Sequence, residues 1–226
     1  MQVQPSQVQQ IPPLEAIFFR DWKNAYIPNI LEEIYLRKIY EPFLSGKRDL
    51  LIADFGANIG LSAYFFKDYA REVFAVEPSK LHIEALNEMI KFNKIKNITV
   101  CPYGISNKTE KRKFYLHGNT TAYSLTQLGQ NIPFEEVEVV SFDEFMVRNK
   151  LDHLDLLKMD TEGEENKIFT SDGFLQYKDK IKTIIGEWHD WNGTNQAQFA
   201  NMFRDYGFEF NWLPNMKAAV FSAVKI

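Results

Sequence analysis

Several short stretches carry side chains whose types and spacing could do chemistry. The first is Asp54-Phe55-Gly56-Ala57-Asn58-Ile59-Gly60. Glycines there let the backbone pass close to a ligand, and a helix that follows offers its unspent N–H groups. The spacing is neither the dinucleotide fingerprint G-x-G-x-x-G nor the phosphate loop G-x-x-x-x-G-K-[ST]. The second is Glu77, followed by Pro78. An acidic group at that point, closing the next strand, accepts hydrogen bonds from ribose hydroxyls. Alone it would read as a solvated charge; with the glycine loop it points to a cofactor containing a nucleoside.

The third stretch is Lys158-Met159-Asp160-Thr161-Glu162-Gly163. Strand alternation puts Lys158 and Asp160 on one side. Among the apolar neighbours Leu156, Leu157 and Met159, the ammonium needs a carboxylate, and Asp160, Glu162 and Glu187 are in reach. Such a cluster marks either a functional site or a purely structural ion pair. The fourth is Glu187-Trp188-His189-Asp190-Trp191. His189 titrates near neutral pH and offers a general base, while the tryptophans offer faces for an acceptor's ring. The plain alternative is a structural histidine with two core aromatics. His82, His117 and His153 lack a comparable context, and His82 reads as an exposed helix residue.

The elements that must position these groups alternate. Apolar runs at Leu50–Asp54, Val73–Glu77, Ile98–Cys101, Leu154–Asp160 and Lys182–Glu187 are separated by helical patterns over Leu61–Ala70, Lys80–Lys94 and Thr194–Tyr206. Continuous apolar strands separated by helices predict a parallel sheet covered on both faces. Between Lys108 and Lys150 the alternation lapses. Lys113–Leu116 and Thr121–Leu125 resemble a hairpin or irregular loop, and Val137–Val140 is extended before a short helix at Phe142–Arg148. Phe208–Trp212 and Ala218–Ile226 read as a closing antiparallel hairpin. Leu14–Leu44 has helical spacing and reads as helices packed on the domain, over the cleft. Met1–Pro13 is rich in Gln and Pro, offers little to bury and reads as mobile.

With 226 residues, the chain suits one α/β domain with a short extension. The net charge of −4 and the lack of a basic run argue against nucleic acid as a partner. Cys101 is the single cysteine, which excludes an internal disulfide and fits a reducing, cytoplasmic setting. No signal-peptide pattern and no apolar run long enough for a membrane span are visible. No Cys/His spacing implies a metal; Asp160 with Glu162 holding Mg²⁺ through oxygens is a minor alternative.

Taken in order, these motifs resemble the FkbM-type methyltransferases, a branch of the class I S-adenosylmethionine-dependent enzymes. Further matching pieces are Tyr103-Gly104-Ile105-Ser106, Val140-Ser141-Phe142-Asp143-Glu144-Phe145, and above all Leu154 through Glu165. The resemblance covers about residues 50–190. It implies a Rossmann-like, seven-stranded, mostly parallel sheet with helices on both faces and a final antiparallel strand. That domain would occupy 46–226, behind a tail and helical extension at 1–45. S-adenosylmethionine is the implied cofactor. Gly56, Ala57, Asn58 and Gly60 would line its methionine part, with Asp54 orienting the loop. Glu77, beside Pro78, would hold the ribose, and Tyr103 and Gly104 would lie near the adenine. Asp160 would sit near the transferred methyl, in a catalytic cluster with Lys158, Glu162 and His189. O-methylation of a hydroxyl on a sugar, glycan or natural-product-like small molecule is the implied reaction, with no metal required. A Cβ at Gly56 or Gly60 is expected to block the cofactor while sparing the fold. A nicotinamide oxidoreductase would need G-x-G-x-x-G, and a nucleic-acid amino-methylase an Asp/Asn-Pro-Pro-Tyr/Phe motif; the chain has neither. A non-catalytic binding protein is disfavoured by the intact glycines and Glu77.

Overall fold

The structure, a computed structural model, describes residues 27–118, 122–189, 194–214, 216 and 219–226. Asp190 and Trp191, and the Gln/Pro-rich start, lie outside the described residues. Helix α1 (Ile27–Leu31) runs into a π-helical turn (Glu32–Leu36), and α2 is Glu41–Leu44. Then follow β1 (Leu50–Phe55), α3 (Leu61–Phe66), β2 (Ala70–Val76), α4 (Lys80–Phe92) and β3 (Ile98–Cys101). The middle holds β4 (Gly104–Ser106), β5 (Glu110–Tyr115), β6 (Phe134–Ser141) and α5 (Phe142–Arg148). The last part is β7 (Leu154–Met159), α6 (Glu165–Phe169), α7 (Asp172–Tyr177), β8 (Ile181–Glu187), α8 (Gln196–Asp205), β9 (Phe208–Trp212) and β10 (Val220–Lys225).

Seven strands form the main sheet in the order β3-β2-β1-β7-β8-β10-β9. β10 runs antiparallel to both β8 and β9, and the pairings from β3 through β8 are parallel. Alternation along β1 builds two cores. Leu51, Ala53 and Phe55 enter one, with Phe142, Phe145, Phe169, Phe174, Phe199 and Phe203 from α5 to α8. Leu50 and Ile52 enter the other, with Leu44, Leu61, Phe66, Leu86 and Met89 from α2 to α4. The period of two along the strand therefore gives each face its own helical layer.

β5 pairs with β6 rather than with the segment before Leu125. Of that segment, Ser124 makes a single bridge to Tyr115. Val137 and Val139 of β6 bury against Phe114 and Leu125, so the longer strand supplies both the ladder and an apolar face. With β4 they make a separate three-stranded sheet. α3 is shorter than its pattern predicts because Ala70 already pairs with Leu50 at the start of β2. Among the described residues, no helix is long and apolar enough to cross a membrane.

Candidate functional site

The chain turns outward in opposite directions from β1 and β7, so the sheet's switch point lies between these neighbours. Ligands of open α/β sheets bind beyond the carboxyl ends of the strands at such a point. A cavity of about 750 Å³ opens there, within the range of about 300–1,000 Å³ usual for ligand sites. At one end it is lined by Gly56, Ala57 and Asn58 after β1, by Glu77 and Pro78 after β2, and by Gly104. Glu77 is buried. Its Oε2 accepts from the Asn58 backbone N–H (2.9 Å), and its Oε1 from Ser79 N–H (2.9 Å) and His82 Nδ1 (3.2 Å). Since a carboxylate has about four acceptor positions, one remains on Oε2 for a ligand hydroxyl.

Behind the glycine loop lies a buried charge network. Lys158 sits opposite Asp54 in the β1–β7 register. Its Nζ is 3.2 Å from Asp54 Oδ1 and 3.6 Å from Asp160 Oδ2, and it donates to the carbonyls of Gly56 (2.7 Å) and Phe55 (3.3 Å). The other Asp54 oxygen accepts from Ser62 Oγ at 2.6 Å. Burial disfavours the ammonium, but Asp54, Asp160 and Tyr40 outweigh it and hold the Lys158 pKa above its ordinary value. Lys158 is thus buried, as its apolar neighbours require. Its main partner is Asp54, whereas Glu162 and Glu187 turn to His189.

The other end of the cavity is acidic. Asp160 and Glu162 after β7, Glu187 at the end of β8, and Glu33 of the π-helical turn all line it. His189 stands behind them: Nδ1 is 3.2 Å from Glu165 Oε1, and Nε2 lies 3.3 Å from Glu162 Oε2 and 3.5 Å from Glu187 Oε1. Burial lowers its pKa, but Glu165, Asp160 and Glu162 prevail and raise it to about 10. A ring protonated at neutral pH has no lone pair free to take a proton, which disfavours the general-base role expected of His189. The carboxylates move the opposite way. Burial, then Asp160, raises the Glu162 pKa to about 8 and that of Glu187 to about 7, with His189 opposing both. Asp160, Glu162 and His189 each place one ligand atom within 4.8 Å of the others. His189 already supplies the positive charge among them. The backbone at Glu162 is left-handed (φ 52°), a strained state for this residue, and buried Glu165 holds the turn by accepting from Thr161 N–H (2.9 Å) and Gly163 N–H.

The model of the FkbM methyltransferase domain matches residues 54–210. The chain belongs to the FkbM methyltransferase family. It is structurally similar to the methyltransferase FkbM from Methylobacillus flagellatus KT, with a TM-score of 0.57, 17% identity and 78% of this chain covered, though only 43% of that one. SMU.1697c of Streptococcus mutans, in complex with SAH, aligns at TM-score 0.52 and 9% identity over 84% of this chain and 97% of its own. A precorrin-6y C5,15-methyltransferase from Geobacter metallireducens GS-15 aligns at 0.51 and 13% identity, covering 84% and 88%. At these identities the likeness shows the fold. A comparison with curated proteins gave no match.

As an FkbM-family member the protein is an S-adenosylmethionine-dependent methyltransferase, and its site can be tested against that cofactor. Glu77 has an acceptor position left, the apolar end beside Gly104 suits a base, and the cavity has room for cofactor and acceptor together. Of the residues expected from sequence, Gly56, Ala57, Asn58, Glu77, Pro78, Gly104, Lys158, Asp160 and Glu162 line the cavity. Asp54, Gly60, Tyr103 and His189 are not among the lining residues. Tyr103 packs in the core with its hydroxyl taken by Asn149 Nδ2 (3.0 Å), so Gly104 alone of that pair lines the cavity. Trp188 is also core, packed on Phe199 and Trp212, and offers no face to an acceptor. Cavity-lining residues not expected from sequence are Glu33 and Tyr40 of the extension, Glu187 and His82. Glu187 had a readable signal, a carboxylate at the carboxyl end of a strand neighbouring β7.

The two glycines correct an expectation. Gly56 has φ 74°, and a Cβ there would lie 1.8 Å from the Asp160 carbonyl oxygen. Gly60 has φ 95°, and a Cβ would meet Leu86 and Met89 in the core. Both glycines are demanded by left-handed backbone and close packing of the protein itself. Gly56→Ala is therefore expected to cost on the order of 3 kcal/mol of stability. For a chain of this size that is a fall in melting temperature of about 6–12 °C. A variant that melts like the parent but loses S-adenosylhomocysteine would restore the ligand-contact reading. Glu77→Gln is the cleaner probe of the ribose. It keeps the side chain's shape and one acceptor, which can stay with Ser79 N–H and His82 Nδ1, while the acceptor shared by Asn58 N–H and the ribose becomes an amide donor; S-adenosylhomocysteine binding should weaken by about 1–3 kcal/mol in calorimetry. Equal affinity would place the ribose elsewhere.

Proposed function

We propose that the protein transfers the methyl group to a hydroxyl of a sugar, glycan or similar small molecule, with Glu187 as the general base. The observation that carries this reading is the Glu187 carboxylate on the cavity wall, with its pKa pushed up to about 7. A base works best when its pKa lies near the working pH. The sulfonium cofactor brings an already activated methyl group. What the chain must add is alignment of the acceptor oxygen and a place for its proton, and proximity supplies most of the gain. Asp160, Glu162 and Glu33 offer further hydrogen-bond acceptors for a polyhydroxylated ligand, while Ile30 and Tyr40 give it an apolar wall. In this reading residues 27–44 form the acceptor side of a domain beginning near residue 46.

The net charge of −4 and this acidic rim favour a neutral or polyol acceptor over nucleic acid, whose phosphates they would repel. The lone Cys101, buried and free, agrees with a reducing cytoplasmic setting. The test is a calorimetric titration with S-adenosylhomocysteine, followed by methyl-transfer assays over glycans, hydroxylated small molecules, amines and RNA. Transfer confined to amines or RNA would overturn the proposal.

A further inference from the structure

Tyr40 caps the start of α2, just after the π-helical turn, and its ring packs edge-on against Phe66 (centroids 4.8 Å apart, 64°) with Phe65 beside it. The residue is 7% exposed and lines the cavity. Among the described residues its hydroxyl has no hydrogen-bond partner, and it is not sealed in the core but open to the cavity. Buried phenols usually find a partner, so this one faces a group that the protein does not supply. The charges that act on it are Lys158, Asp54, Asp160 and Glu33, which place it by the ends of β1 and β7, where the glycine-loop half of the cavity meets the acidic half. Burial above all, with Asp54, Asp160 and Glu33 adding to it, holds the Tyr40 pKa above its ordinary value against Lys158. The phenol therefore keeps its proton at neutral pH and can donate.

We propose that the Tyr40 hydroxyl donates a hydrogen bond to the carboxylate of the cofactor's methionine part and so selects for that amino-acid end. The inference rests on the orientation argued above, with Glu77 at the ribose, and not on the acceptor or on Glu187. In that orientation the thioether chain runs from the ribose past Gly56 and Ala57 towards β7. Its end carries one ammonium and one carboxylate. The ammonium needs acceptors, and Asp160 on the cavity wall is one. The carboxylate needs a donor, in a stretch where most charged side chains are themselves carboxylates. The Lys158 ammonium is committed to Asp54 and to the carbonyls of Phe55 and Gly56, and Ser62 Oγ to Asp54. The Tyr40 hydroxyl has no such commitment, and it adds no negative charge of its own. One residue of the helical extension would thereby reach the cofactor, and residues 27–44 would border both halves of the cavity.

The test is calorimetry on the full chain with S-adenosylhomocysteine and its decarboxylated analogue, which keeps the ribose, the sulfur and the amine. Tyr40→Phe keeps the ring against Phe66 and removes only the hydroxyl, so it should melt within about 2 °C of the parent. It should bind S-adenosylhomocysteine about 10- to 100-fold more weakly, the scale of a lost hydrogen bond to a charged group. Its affinity for the decarboxylated compound should stay within about threefold of the parent's. Parental affinity for S-adenosylhomocysteine in Tyr40→Phe overturns the assignment and leaves Asn58 Nδ2 as the donor. An equal loss for both compounds overturns it too, as does a larger fall in melting temperature, which would give the hydroxyl a role within the protein. Glu77→Gln separates the two readings, because both compounds carry the ribose and should weaken alike, with their ratio unchanged. If Glu77→Gln changes neither affinity, the orientation fails and the Tyr40 assignment with it.

Discussion

Lys158→Met is expected to lower the melting temperature by about 6–20 °C and to weaken S-adenosylhomocysteine binding with it. The substitution keeps the side chain's length and apolar stem but removes the ammonium. Asp54 Oδ1, wholly buried, then has no cation at 3.2 Å, and the Gly56 carbonyl loses its 2.7 Å donor. Removing one partner of a buried pair costs about 3–5 kcal/mol, because the remaining charge stays desolvated. At about 2–4 °C per kcal/mol for a chain of this length, the fall in melting temperature follows. The loop responds together with the pair, since Lys158 ties the carbonyls of Phe55 and Gly56 to the sheet. Asp54→Asn should do less harm, because its one oxygen can stay with Lys158, Ser62 Oγ can accept from the new amide, and Asp160 still pairs the ammonium at 3.6 Å. A Met variant that melts within about 2 °C of the parent would show that the pair contributes little, as exposed pairs do. Lys158 would then return to consideration as a group acting on the acceptor.

Glu187→Gln should reduce turnover by about 10²–10⁴-fold, the usual contribution of a positioned base, with the cofactor affinity unchanged. The parent's rate should rise with pH through about 7, because only the deprotonated carboxylate can take the acceptor's proton. The variant should lose that limb. Its melting temperature should stay at or above the parent's, since the side chain is partly exposed and the change relieves repulsion from Asp160 and Glu165. His189→Gln provides the contrast. The folded pKa of His189, about 10, lies above the unfolded value of about 6.5, so its stabilisation is complete below 6.5 and fades as pH rises towards 10. The melting gap between parent and His189→Gln should therefore narrow over that range. A Glu187→Gln enzyme with a parental rate and pH profile would remove Glu187 from the chemistry and leave Glu162, with its pKa near 8, as the next candidate.

The sequence by itself determined the alternating strands and helices, because a strand buried on both faces must be apolar along its length. It determined the glycine loop after β1, since positive φ at Gly56 and Gly60 is a local demand, and the burial of Lys158, since its neighbours are apolar. Glu77 at the end of β2 was legible from its place after the loop. What only the tertiary structure decided depends on which strands and helices meet. Asp54 faces Lys158 because β1 lies beside β7 in a particular register, and no spacing along the chain encodes that pairing. The Cβ positions of Gly56 and Gly60 point at Asp160, Leu86 and Met89, contacts from distant segments. The His189 pKa rises because Glu165, Asp160 and Glu162 converge on it, and His82 is buried because Glu77 and Tyr123 close over it. Periodicity tells which face a side chain takes. Its charge state and its partners come from groups brought near by folding, through electric fields that act across space and not along the chain.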